Sequence, residues 1–385
     1  MGLKLEFIEK ASLQGANVSA LCREFGISRQ TGHKWLRRFH EVGYEGLEEQ
    51  SRRPRSAPLA TAEEIVAAIV ALREAHPRWG ARKLVHLLRK EFGEATPSER
   101  TVVRVLKRFG QVRQRRVRRG LSIVEQAPSV MATAPNEVWT VDFKGWWRAT
   151  DGQRCEPLTV RDAYSRFVLT TALLEHANEE NVRAVLLRLF SRHGRPSALQ
   201  CDNGSPFIST RARAGLTRLS AWWISLGIRV VRSRVGCPQD NGAHERMHAD
   251  MAADLQRFPA HSRAAQQRAC DRWRQEFNHV RPHEALGGKV PADLYRSSPA
   301  KVKPRTAVYP AAWLPRRVAK SGHINVGDQV LFVSAALAGQ TVALEPLAGL
   351  QWRLWFHQVD LGNLEIAPLE LPVLPRRLAS SKRVA

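Results

Sequence analysis

The sequence predicts a multidomain protein: two α-helical helix-turn-helix units, then an α/β core, then a small C-terminal all-β barrel. Three observations carry that prediction. Apolar residues at helical spacing dominate the amino-terminal part, strand and helix patterns alternate through the middle, and short apolar runs between glycine turns fill the end. The 385 residues carry a net charge of +24 and an isoelectric point near 10.9, a surplus that points to a polyanionic partner, nucleic acid first. The five cysteines form no C-x-x-C pair, which argues against a disulfide framework and a cysteine-based zinc site. No apolar run approaches the roughly 20 residues of a membrane span. Met1 to Lys10 mixes charged and apolar residues without a signal-peptide core. A soluble, cytosolic chain is expected.

Val18, Leu21, Cys22 and Phe25 share one helical face, Gly26-Ile27-Ser28 makes a turn, and Trp35, Leu36 and Phe39 face inward from a second helix. The outer face of that helix carries Arg29, Gln30, His33, Lys34 and Arg37, side chains suited to phosphates and base edges. Gly32 inside it lowers helix propensity. A three-helix protein-binding module is the alternative. After the basic linker Ser51 to Pro58, Leu84, Leu87 and Leu88 mark a further helix. Thr96-Pro97-Ser98-Glu99 reads as a capping box with Pro97 in the first turn. It opens a helix with Val102, Val105, Leu106 and Phe109 inward and Arg100, Arg104, Lys107 and Arg108 outward. Arg113, Arg115, Arg116, Arg118 and Arg119 follow in a run with no acid, which fits a phosphate-tracking arm between a DNA-reading half and the core.

In the middle, Glu137 to Phe143 is a β-rich run with Asp142 set into it, costly unless paired or metal-bound. Leu158 to Val160 and Phe167 to Leu174 are further strands, joined by a turn at Asp162. A helix with Val182, Val185, Leu186, Leu189 and Phe190 inward leads to the short strand Ala198 to Cys201. That strand ends in Asp202-Asn203-Gly204, at the edge where open α/β sheets bind ligands. A helix near Leu216 to Leu226 and the strand Ile228 to Val231 precede Asp240-Asn241-Gly242 and a last helix carrying Glu245. Asp240 is expected to cap that helix.

Cys237 to His248 has two incompatible parses. His244-Glu245-x-x-His248 is the zinc-protease pattern H-E-x-x-H. In the other parse, Glu245 joins Asp142 and Asp202 as oxygen ligands for hard divalent cations, and the histidines are neighbours free to contact DNA. Two such ions about 3.5–4 Å apart would clamp both oxygens of a phosphodiester displacement.

Asn136 to Asp142, Cys201 to Gly204 and Asp240 to Arg246 resemble the three boxes of the DDE transposases and retroviral-type integrases, in particular the bacterial insertion-sequence transposases with an N-terminal helix-turn-helix. Phe277-Asn278-His279-Val280-Arg281-Pro282-His283-Glu284-Ala285-Leu286-Gly287 resembles that branch's segment after the glutamate helix. The resemblance runs from about Val18 to Tyr295. It implies an RNase H-like catalytic core and two Mg²⁺ or Mn²⁺ ions on Asp142, Asp202 and Glu245. The implied reaction is nicking at the ends of a mobile element, then joining of the 3′ ends to target DNA. Double-stranded DNA as partner, a homo-oligomer when synapsed on it, and a bacterial, nucleoid-associated cytoplasmic location are implied too. Alternatives are a DNA-binding regulator or nuclease of the same fold without end joining and, more remotely, the zinc protease. The chain departs from the resemblance in two ways. It lacks the N-terminal His/Cys zinc module of retroviral integrases, and Glu245 lies 43 positions after Asp202, longer than the family's usual interval. The extra length is expected in the Arg-rich stretch Ser209 to Ser220.

Beyond the core, His261 to Asn278 is helical, with Trp273 and Phe277 inward, and Ser297 to Lys320 is a Pro/Lys/Arg linker. His323 to Val326, Val330 to Val333, Thr341 to Leu344 and Trp352 to Phe356 suggest a small barrel of SH3-like type, for DNA binding or oligomerisation. The expected divisions are 1–57 and 58–111 for the helix-turn-helix units, 112–134 for the basic linker, 135–296 for the core, 297–322 for a second linker, 323–375 for the barrel and 376–385 for a tail.

Overall fold

The computed structural model describes residues 2–49, 60–112, 131–210, 212–234 and 237–367. The arginine run Arg113 to Arg119, the linker Ser51 to Pro58 and the tail lie outside the described residues. The chain divides into two compact units, Met1–Glu63 and Glu64–Ala385.

The first unit holds α1 (Gly2–Ala11), α2 (Val18–Glu24) and α3 (Arg29–Val42). Asn17 and Ser28 cap α2 and α3 by accepting from Ala20 N–H and Thr31 N–H. Helix α1 was not expected from the sequence, because its apolar residues are interleaved with charge. Yet its Phe7 and Ile8 are buried, and the Phe7 ring meets Phe25 and Trp35 edge-on at 5.5 and 5.6 Å. Gly32, unfavourable by propensity, is there for space. A Cβ at that position would lie 2.5 Å from Cys22 Sγ and 2.9 Å from Phe7 Cζ.

The second unit begins with α4 (Glu63–Ala75), α5 (Ala81–Phe92) and α6 (Glu99–Arg108) around Ile69, Leu84, Leu88, Val102 and Leu106. Two sequence expectations need correction here. The cap of α6 is Ser98, which accepts from Thr101 N–H, while Thr96 Oγ1 donates to the Gly93 carbonyl instead. Phe109 lies past the helix end and is exposed, its ring covered by the Arg108 guanidinium.

The core sheet contains β1 (Val138–Phe143), β2 (Trp147–Arg148), β3 (Arg154–Asp162), β4 (Val168–Leu174), β5 (Ala198–Cys201) and β6 (Arg229–Arg232). β3 pairs with β1, with β2 beyond the end of β1, and with β4, while β1 pairs on to β5 and β5 to β6. β3 is antiparallel to β1 and β4, while β5 and β6 run parallel to β1. An antiparallel meander continued by parallel strands is the mixed sheet of an RNase H-like core. Helices α7 (Glu179–His193), α8 (Arg218–Ser225), α9 (Gly242–Met251) and α10 (Arg263–His279) accompany it. Trp139, Leu158, Leu186 and Trp223 pack the interior between the sheet, α7 and α8. Met247, Met251, Trp273 and Phe277 pack α9 and α10 with Trp147 and Val168. The Asn278 side chain bonds both backbone groups of Val168, at 2.8 and 2.9 Å, so α10 satisfies an edge that β4 would otherwise leave open.

The carboxyl-terminal region is an antiparallel four-stranded sheet of β7 (Leu314–Arg317), β10 (Thr341–Pro346), β11 (Gln351–Phe356) and β12 (Val359–Glu365), with a hairpin of β8 (His323–Val326) and β9 (Gln329–Phe332). These share one apolar core with Leu216 and Ile224 of the α8 region. Strand β7 falls where the sequence suggested linker. It pairs with β10 despite two arginines and a proline, because an alternating edge strand tolerates all three.

We expect Gly32→Ala to destabilise the first unit by about 1–3 kcal/mol, the usual cost of forcing a methyl group into a filled helix contact. The measurement is the denaturant midpoint of the full chain followed by hydrogen exchange in residues 2–47. Unchanged protection there would show that α1, α2 and α3 do not need this close approach.

Candidate active site at the edge of the parallel strands

Strands β1 and β5 lie side by side in the register Val141↔Cys201. Asp142 and Asp202 are the next residues on each, so two carboxylates leave the sheet at one edge, from backbones about 5 Å apart. Gly204 N–H donates to Asp202 Oδ1 at 3.2 Å, and a Cβ at Gly204 would come within 3.0 Å of Oδ2. The glycine of this Asp-Asn-Gly turn therefore leaves room for the carboxylate.

Glu245 is exposed in the first turn of α9. The chain before it is tied to the sheet at three points. Asn241 Nδ2 donates to Asp142 Oδ2 at 2.8 Å, Gln200 Nε2 donates to the Asp240 carbonyl at 2.9 Å, and buried Arg161 donates to the Ala243 carbonyl at 2.8 Å. Asp240 is not the helix cap expected from its sequence position. It is buried and binds Arg234 through both carboxylate oxygens, at 2.7 and 3.0 Å, which folds the loop before α9.

Burial, and then the negative charge of Asp202, push the Asp142 carboxyl up to about 6; the Asn241 and Phe143 hydrogen bonds oppose this, and Glu245 adds to it. All three acids thus share one electrostatic environment. Between pH about 4 and 6 the folded carboxyl keeps a proton that the unfolded chain has lost. Stability therefore falls as pH rises through that window, and the whole penalty is present above it.

The histidines are not at the surface. Both are buried, against the expectation that either is free to contact DNA. His244 Nδ1 meets Thr140 Oγ1 at 2.8 Å, and its Nε2 meets Thr159 Oγ1 at 2.6 Å; His248 Nε2 meets the same hydroxyl at 2.7 Å. One arrangement satisfies all of these groups. Thr140 donates to His244, both Nε2–H groups donate to Thr159, and Thr159 donates to the Asp142 carbonyl at 3.0 Å. Burial keeps both rings neutral, with His248 lowered to about 3 and His244 well below its ordinary value. Among the described residues, Asp142, His244 and His248 bring potential ligand atoms within 4.8 Å of one another. Asp202 and Glu245 stand outside that group. A zinc-protease site needs both imidazoles turned to one metal, whereas here both Nε2 atoms are spent on one threonine.

Of the expected DNA-facing residues, Arg29, Gln30, His33, Lys34 and Arg37 are exposed on α3, and Arg100, Arg104, Lys107 and Arg108 on α6. Sequence reasoning passed over Asn241, Thr159 and Arg161. Only Asn241 had a signal, its place in the Asp-Asn-Gly box.

Residues 132–238 and 226–291 match two models of an integrase core domain. The chain carries an integrase core domain. Residues 3–55 match a helix-turn-helix domain and 31–106 a homeodomain-like domain. The chain is 28% identical over 279 residues to an uncharacterized 31.7 kDa protein of insertion element IS407 from Burkholderia multivorans, covering 71% of this chain and 88% of that one. It is 26% identical over 293 residues to an uncharacterized 39.2 kDa protein of insertion element IS476 from Xanthomonas euvesicatoria, covering 75% and 82%. Among solved structures, the HTLV-2 integrase catalytic core domain in complex with magnesium is similar at 16% identity and a TM-score of 0.31, over 43% of this chain and 99% of that one. A simian T-cell lymphotropic virus intasome chain is similar at 14% and 0.36, over 80% and 100%. No helix among the described residues is long and apolar enough to cross a membrane.

Two measurements check this geometry. Without divalent metal, Asp142→Asn should be more stable than wild type at pH 7 by about 1–3 kcal/mol, at about 1.4 kcal/mol per pKa unit, and no different below pH 4. Equal denaturant midpoints at pH 7 would refute the burial-and-repulsion account. The purified protein should hold no stoichiometric zinc, and His244→Ala should lower stability by about 1–3 kcal/mol by removing the buried imidazole that bonds both Thr140 and Thr159. Zinc at one per chain, lost in both His244→Ala and His248→Ala, would restore the H-E-x-x-H parse.

Proposed function

We propose that this protein is a DDE transposase that binds the ends of its own mobile element, nicks them and joins the 3′ ends to target DNA. The observation that carries the reading is the pair of aspartates at the ends of adjacent parallel strands, with Glu245 on a helix tied to the same strands. Burial and like charge hold the Asp142 carboxyl above its ordinary range, and a divalent cation among the acids would offset the repulsion. An all-carboxylate donor set suits Mg²⁺ or Mn²⁺.

In this reading Asp142, Asp202 and Glu245 would hold two such ions. When bound, the ions supply charge stabilisation to the attacking and leaving oxygens of an in-line phosphodiester displacement. The protein's own groups orient the ligands. Asn241 fixes one oxygen of Asp142, the Gly204 N–H fixes one of Asp202, and the histidine–threonine network sets the height of α9 and so of Glu245. Exposed Arg29, Gln30, His33, Lys34 and Arg37 would read one stretch of an element end. Arg100, Arg104, Lys107 and Arg108 would hold another, and the arginine run 113–119 would track phosphates between reader and core. Two ends must be processed together, so a homo-oligomer on DNA is part of the reading.

The test is joining of a pre-cut element end to plasmid DNA. It should require Mg²⁺ or Mn²⁺, and Asp202→Asn should abolish it while end binding in a gel shift stays within about twofold. Full joining by Asp202→Asn would remove the triad. Metal-dependent cleavage with no joining would make the protein a nuclease of the same fold.

A further inference from the structure

The prolongation of β1 beyond Asp142 presents an exposed indole that packing does not explain. Phe143 opposes Leu158 on β3, Lys144 N–H donates to the Pro157 carbonyl at 3.1 Å, and Trp147 opposes Cys155. β2 therefore continues the edge of β1 along the same neighbour. Alternation along it is plain. Trp147 and Ala149 point inward and are buried, while Trp146 and Arg148 point outward. Trp146 is 50% exposed, whereas the indoles of Trp139, Trp147, Trp223 and Trp273 are buried.

The setting of this ring is cationic. The Arg154 guanidinium lies 4.8 Å from its centroid and that of Arg148 5.7 Å. Both are held in place. Arg154 pairs with Glu156 at 2.8 Å, and Arg148 donates to the Gly152 carbonyl at 2.7 Å. A rigid aromatic surface beside fixed guanidinium groups is how proteins take unpaired nucleic acid: the ring stacks a base and the cations meet the phosphates. Four β3 residues separate the partner of Asp142, Thr159, from the partner of Trp147, Cys155. At about 3.3 Å per residue that is about 13 Å, or about four base steps at 3.4 Å each.

We propose that Trp146, with Arg148 and Arg154, is a stacking platform for an unpaired base of the DNA strand, about four nucleotides from the phosphodiester held at the acidic edge. The distance rests on the catalytic reading above; the platform itself binds DNA whether or not the acids act. It takes a base from a single-stranded extension or a locally opened end, and it does not distinguish one base from another.

The test uses the full chain with EDTA and two duplexes of one sequence, one blunt and one with a four-nucleotide single-stranded extension carrying 2-aminopurine. Wild type should bind the extended duplex more tightly and quench the fluorophore. Trp146→Ala should weaken that binding about five- to a hundredfold, the range for losing one stacked base. It should also relieve the quench and leave the blunt duplex within twofold, and Trp146→Phe should recover most of the loss. Equal effects of Trp146→Ala on both duplexes, or on neither, would overturn the platform, as would an unquenched fluorophore on wild type. Because no step needs metal, quenching without any joining activity in Mg²⁺ would count against the transposase reading alone, and joining without quenching against the platform alone.

Discussion

The helix that carries Glu245 is held to the sheet by polar side chains buried out of water, and the acidic edge depends on that attachment. Thr140 of β1 and Thr159 of β3 grip His244 from both sides, and Thr159 takes His248 as well. Arg161, two residues on from Thr159, reaches the Ala243 carbonyl. Apolar packing under Met247 and Met251 supplies adhesion without direction. The buried network supplies direction, because sliding α9 by even one residue would leave imidazoles, hydroxyls and a guanidinium without partners, at about 1–3 kcal/mol each or more. Burial has a cost that is visible in the groups themselves: Arg161 is lowered to about 9 and both histidines are held neutral. For the histidines the sign is clear. Their folded values lie below 6.5, so the attachment loses stability as pH falls below that value, opposite to the trend for Asp142.

At the edge itself the structure is electrostatically unfinished. Two carboxylates on adjacent parallel strands repel each other, and among the described residues no lysine or arginine forms an ion pair with Asp142. Asp142 accepts from the Asn241 amide and the Phe143 N–H, the neutral His248 ring lies 3.9 Å away, and Asp202 and Glu245 add negative charge. Arg161, opposite Thr140 on β3, is turned to α9. Elsewhere the same sheet treats a buried acid differently. Asp162 accepts from Asn136 N–H and from both the N–H and Oγ of Ser165. The contrast separates a carboxylate that serves the fold from carboxylates that the fold leaves open.

Much of this was legible in the sequence because strong periodicity and short boxes are local signals. The β-rich run ending in Phe143, the helical spacing of Val182 to Phe190, and the Asp-Asn-Gly turns predicted the core in its observed order apart from the short strand β2. What escaped depends on contacts between distant residues. Gly32 looks like a helix fault until Phe7 and Cys22 are brought against it. Asp240 looks like a cap until Arg234 folds back onto it. His244 and His248 suggest zinc because spacing on a helix is visible in a sequence, while the threonines that engage them lie on two other strands. β7 and β12 were missed because Leu314–Arg317 and Val359–Glu365 are edge segments rich in charge or glycine, which strand propensity does not mark.

The segment after α10 shows how a recognisable box can be structural rather than chemical. Arg281 is 4% exposed and pairs with Asp250, Asp254 and Glu276 at 3.4, 3.0 and 3.1 Å. Its guanidinium also lies 5.4–5.7 Å from the rings of Trp79, Trp273 and Phe277. Asp250 lies in the last turn of α9, and Asp254 in the wider turn that continues it. Trp79 comes from the connection between α4 and α5, where Arg78 also pairs with Asp254 and His76 stacks on the Trp79 ring. A single cation thus joins the glutamate helix, α10 and the second helical unit. A buried ion network of this kind is weak evidence for added stability, because desolvation offsets most of the attraction. Its consequence is registry: any other seating of Trp79 or α9 leaves a buried charge uncompensated. Lysine is a poor replacement, since its compact ammonium lacks the planar guanidinium that lies among these rings while donating to carboxylates in its plane.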